Sequence, residues 1–109
     1  MTSWALITYT RGATNNPWPN PSSAVIDKVT EYQNTDPKKV IHYEQQDSAD
    51  DLKRYYKLGF KDIDTAREFQ DSAENVASIE HRENYCNNAD NGMDCLVEKG
   101  LEVEPSIPA

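Results

Sequence analysis

Two imidazoles, His42 and His81, and two thiols, Cys86 and Cys95, are the side chains of this 109-residue chain best suited to proton transfer, nucleophilic attack or metal ligation. Neither histidine has a nucleophile beside it in sequence. His42 lies within an alternating strand pattern, where a general base could face a cavity. His81 stands between Glu80 and Arg82 on the polar side of a helix pattern. His81, Cys86 and Cys95 offer three zinc ligands where a structural site takes four, and their spacing matches none of the usual pairs. Asn87 to Glu98 has glycine at the sixth place and glutamate at the twelfth of a calcium-type loop, but Ala89 occupies the third-place oxygen position. Without a complete metal set, catalytic motif or cofactor fingerprint, the chain reads as binding no metal and no cofactor. A non-enzymatic role is favoured.

Other residues suggest binding. Trp18 lies within Pro17-Trp18-Pro19-Asn20-Pro21, and a tryptophan in a proline-stiffened loop loses little entropy on docking. It reads either as an anchor for a partner or as a lid over its own core. Asp64, Glu68 and Asp71 fall on one face of a predicted helix and form a second candidate partner-binding surface. Mimicry of nucleic acid is a weaker use of these acids. Carboxylates four residues apart on a helix are separated by about 6 Å, against about 3.4 Å between phosphates along a DNA strand. His42, Tyr43 and Tyr56, on adjacent strand patterns, are the candidates to line a pocket if the protein acts on a small aromatic substrate.

Composition narrows the partners. The net charge is −8. Residues 1–43 hold three acids against four bases, whereas 44–109 hold sixteen against seven, so the negative field belongs to the second half. Direct nucleic-acid or anionic-membrane binding is disfavoured, since phosphate contacts rest on clustered Lys and Arg. A basic protein surface is the better electrostatic match. No window approaches the apolar length of a membrane span, and no secretory leader pattern is visible, so a cytoplasmic location is expected. Hydrophobic residues make up 37% of the chain, which is thin for one core. A sheet left partly uncovered is most simply covered by a second copy.

The elements that position these residues follow from periodicity. Trp4 to Thr10 is a β-rich run with apolar side chains on both faces, hence a central strand. Ser22 or Ser23 caps a helix running to Asn34, with Val25, Ile26, Val29 and Tyr32 on its buried face. Lys39 to Gln45 is a strand with Ile41 and Tyr43 on one face and Val40, His42 and Glu44 on the other. Leu52 to Phe60 alternates as a strand with one wet face, to which Lys53 and Lys57 point. A second helix starts near Asp62 to Thr65 and runs to about Tyr85, burying Ala66, Phe69, Ala73, Val76 and Ile79. Two short apolar runs flank Lys99-Gly100, as a small hairpin or with one of them the fourth strand.

The order β-α-β-β-α(-β) predicts a ferredoxin-like α+β sandwich, an antiparallel sheet with two helices on one face, in one domain over 1–104 with a flexible tail at 105–109. The strand-to-helix stretch Phe60-Lys61-Asp62-Ile63-Asp64-Thr65-Ala66-Arg67-Glu68-Phe69 resembles the corresponding junction of small dimeric α/β-barrel proteins, including the antibiotic-biosynthesis monooxygenase-like group. That resemblance implies a protomer whose sheet packs on its twin. It carries no activity with it, because function must be argued from a site. The functional expectation is an acidic, homodimeric interaction protein docking on a basic partner, with a cofactor-free enzyme of the dimeric-barrel type as the alternative.

Overall fold

A computed structural model describes residues 1–19, 22–86 and 93–108, save the side chains of 81 and 83–85. The elements are β1 (Ser3–Arg11), α1 (Ser23–Gln33), β2 (Val40–Asp47), β3 (Lys53–Phe60), α2 (Ile63–Gln70), α3 (Ala73–Cys86) and β4 (Met93–Leu101). The strands form one antiparallel sheet in the order β2-β3-β1-β4, which is the ferredoxin-like arrangement. The central place predicted for the first strand holds. Among the described residues no helix is long and apolar enough to cross a membrane.

Register assigns each strand residue to a face, because side chains alternate along a strand. Ala5, Ile7 and Tyr9 pair with Leu58, Tyr56 and Arg54 and point toward the helices. One core cluster joins Val29 and Tyr32 of α1, Val40, Leu58 and Phe60 of the sheet, and Ala66 and Phe69 of α2. Here the junction motif explains itself: the Phe60 and Phe69 rings meet at 5.4 Å, so the strand's last side chain seats the helix that follows. Near β4 a second cluster joins Tyr9, Tyr56, Cys86 and Met93.

Four expectations need correction. The predicted second helix is two helices. Gln70 ends α2; Asp71 caps it by donating its backbone N–H to Arg67, and the Ser72 Oγ then accepts from the Asn75 backbone N–H at 3.3 Å to begin α3. The break shifts the helical phase, and Val76, expected in the core, is 45% exposed. In β2, an irregular register between Val40 and His42 sends Val40 into the core, so it does not share the face of His42 and Glu44. The two apolar runs around Lys99-Gly100 form one continuous strand, which pairs with β1 and places Gly100 at φ 69° near its end.

The fourth correction concerns the outer face of the sheet, turned away from the helices. It is not uniformly wet: Leu6, Tyr55 and Lys57 are all buried. The Trp4 ring shields its neighbours, with His42 edge-on at 5.7 Å and the Lys57 ammonium 5.4 Å from the ring. Lys57 also binds Glu104 at 2.9 Å, which fastens the chain beyond β4 to this face. Gly59 lies directly opposite Trp4, and a Cβ placed there would sit 2.7 Å from the indole. Gly59→Ala therefore lowers unfolding free energy by about 1–3 kcal/mol, as overpacking does. Urea denaturation checks this, and a variant as stable as the parent would show that Trp4 does not lie over the strand.

Candidate functional site

Arg11 fixes one end of the sheet. Arg11, the last residue of β1, donates from Nε to the Asp51 carbonyl at 2.9 Å and pairs with the Asp51 carboxylate at 2.8 Å. It also donates to the Asn16 carbonyl at 2.6 Å. Its guanidinium then lies 4.2 Å from the centre of the Trp18 ring, with Arg54 5.2 Å away. Trp18 is thereby held against the cluster of Tyr9, Tyr56, Cys86 and Met93. Its indole nitrogen is buried without an acceptor among the described residues.

Between the two clusters the helix face of the sheet is not fully covered. A small cavity of about 80 Å³ reaches Tyr9, Tyr43 and Tyr56. A larger one of about 330 Å³ lies over Ala5, Ile7, Leu58 and Val97. They share Ile7, Leu58, Phe69, Asn75 and Arg82 as walls, so they lie side by side and are treated together as two arms of one cleft. Its size falls at the lower end of small-molecule sites. The cause lies in α3. Asn75, Ser78, Ile79 and Arg82 recur at helical spacing and line the cleft, while Cys86 at the helix end is buried. A face that is mostly polar cannot close a dry core on the sheet.

The three residues expected around a pocket are placed on different faces of the sheet. Tyr43 and Tyr56 line the cleft, whereas His42, one residue from Tyr43, points to the outer face, where its Nε2 lies 2.9 Å from Glu44. Adjacent strand residues cannot share a face. The candidate acidic surface is dispersed. Asp64 and Glu68 are exposed on α2, Glu68 is engaged by Lys39 at 3.3 Å, and Asp71 has become a helix cap at the rim of the larger arm. The His81 side chain and residues 87–92 of the calcium-type loop lie outside the described residues. Among the described residues no group of acids, histidines and cysteines is placed to hold a metal.

Sequence reasoning missed Arg82, Asn75 and Ser78. Their signal was the apolar count beyond residue 72, which is too low for a core helix. Electrostatics in the cleft keeps its phenols neutral. Burial pushes Tyr9 well above its ordinary range, against the opposing hydrogen bond and charge of Arg82. Tyr56 and Tyr43 are raised by the same desolvation. The three hydroxyls are hydrogen-bonding groups rather than bases. Burial also raises the Cys86 thiol to about 11, followed by the charge of neighbouring Cys95.

No family model matches this chain, and no curated protein matches it. Solved structures do. A conserved Bacteroides thetaiotaomicron protein of unknown function is 11% identical over 90% of this chain and 94% of its own, with a TM-score of 0.54. A Deinococcus radiodurans protein provisionally named an antibiotic biosynthesis monooxygenase is 7% identical over 97% of this chain and 99% of its own, with a TM-score of 0.55. At such identities the likeness is one of fold. It agrees with the resemblance carried by residues 60–69.

The raised phenols give a pH dependence of definite sign. A tyrosine neutral in the fold but ionised at pH about 10 in the unfolded chain stabilises the protein below that pH, and its contribution is lost as pH rises toward the folded value. Unfolding free energy therefore falls above pH about 10, by up to ~1.4 kcal/mol per pH unit for each such group. Tyr9→Phe flattens the fall. A parent whose stability is level from pH 9 to 11.5 would contradict the burial of these hydroxyls.

Proposed function

We propose that this protein is a homodimeric binding module that takes a small, flat, largely apolar molecule into the cleft between its sheet and α3. The carrying observation is the cleft itself. Its walls are the aliphatic side chains of Ile7, Leu58 and Val97, with the Phe69 ring at one side and tyrosine rings at the end of the smaller arm. Aromatic walls favour a planar guest through stacked or edge-on contacts. The polar groups are few and converge from one side, as in small-molecule sites generally. Neutral phenols beside an arginine bind and orient, and no carboxylate–imidazole pair faces the guest among the described residues. These features support binding over acid–base catalysis.

Support for the dimer comes from the other side of the sheet. Leu96, whose register partner is Thr8, is 58% exposed on the outer face, in line with half-buried Leu101 and Trp4. A second copy covers such a strip by presenting the same strip in return. Outward-pointing Lys53 and Glu98 provide charges of both signs at its margins. The acidic second half of the chain remains available for a basic partner.

Two measurements test the proposal. Titration with 2-naphthol followed by amide chemical shifts moves Ile7, Leu58, Phe69 and Asn75 and leaves Thr8 and Thr10 in place. Shifts confined to the outer face, or none at millimolar probe, would overturn the binding reading. Light scattering gives twice the chain mass for the parent and the single mass for Leu96→Asp; a monomeric parent would remove the dimer.

A further inference from the structure

Of the seven Lys and Arg side chains that are buried or half-buried among the described residues, six are spoken for. Arg11, Lys28, Lys39, Arg54, Lys57 and Lys61 are buried or half-buried, and each lies within 4 Å of a carboxylate. That is the ordinary arrangement, because a charge withdrawn from water needs a partner. Arg82 is the exception. It is half-buried and lines both cavities, beside Tyr9 in the smaller. No carboxylate pairs with it among the described residues, in a protein of net charge −8. Lys99, on β4 at the mouth of the larger arm, also lacks one among the described residues. Against these two cations the larger arm has a single acid, the exposed Asp71.

We infer that the cleft's ligand is an anion, a flat apolar body bearing one carboxylate that Arg82 receives and Lys99 attracts. This rests on the binding reading above and adds the charge of the guest. The planar guanidinium offers a fork of donors matched to a carboxylate, and a bond between two charged groups is stronger than one between neutral groups. The apolar floor formed by Ile7, Leu58 and Val97 lowers the local dielectric and strengthens that attraction. Tyr9, held neutral by burial, stays a donor and can turn its hydroxyl to the same anion. Lys99 is exposed, so its part is steering and a weaker, salt-screened attraction.

The test compares two probes of nearly equal shape, 2-naphthoate and 2-naphthamide, by isothermal titration calorimetry at low salt. The inference predicts that naphthoate binds at least about tenfold tighter, close to 1.4 kcal/mol. It further predicts that Arg82→Gln weakens naphthoate by a clearly larger factor than naphthamide, so that the preference between the two probes falls to about twofold or less. Lys99→Gln, at an exposed position that does not endanger folding, weakens naphthoate about two- to fivefold and spares the amide. Equal affinity for the two probes, or equal losses for both in Lys99→Gln, would overturn the anion inference while the binding reading survived. Failure of both probes to bind would sink the two together.

Discussion

A two-residue interruption at Asp71-Ser72 governs the rest of the molecule. An uninterrupted helix from Ile63 would carry Ala66, Phe69, Ala73 and Val76 down one stripe onto the sheet. Instead the chain stops at Gln70 and restarts at Ala73, with Ser72 serving as the new cap. α2 delivers Ala66 and Phe69 to the core, while α3 turns Asn75, Ser78, Ile79 and Arg82 inward and meets the sheet fully only at Cys86. The core separates into two clusters for this reason. The gap between them is the cleft, and its polar lining is the face that the broken helix presents.

The thin apolar content of the chain is managed by cations as much as by burial. Arg11 and Arg54 bracket Trp18, and Lys57 lies against Trp4 while holding Glu104. Such contacts use the apolar stems and charged heads of long side chains to cover rings that would otherwise be wet. Exposed ion pairs add little stability by themselves. Arg11 and Lys57 differ because their side chains are 5% and 10% exposed, so their geometry locates the Trp18 loop and the chain end on the sheet. Arg82, half-buried at the cleft, stands outside this scheme among the described residues.

Much of the fold was legible. The apolar residues on both faces of β1 placed it centrally, and Ser22 and Asn34 bounded α1 where their side chains predict. The misreadings share one origin, since a periodicity argument assumes an uninterrupted phase. One irregular step in β2 moved Val40 across the sheet, and two residues between helices rotated everything after Ser72. Arg82 was invisible for another reason. A lone basic residue in an acidic helix carries no signal until the structure shows that it faces inward and that no described carboxylate accompanies it.

The phase of α3 can be measured at Val76. The account predicts that Val76→Ser changes the urea-derived unfolding free energy by no more than about 0.5 kcal/mol, as at an exposed position. A loss of about 2 kcal/mol or more, as when a core aliphatic is removed, would contradict it. The helix would then run through Ser72 unbroken, its apolar stripe would close on the sheet, and the cleft would not exist.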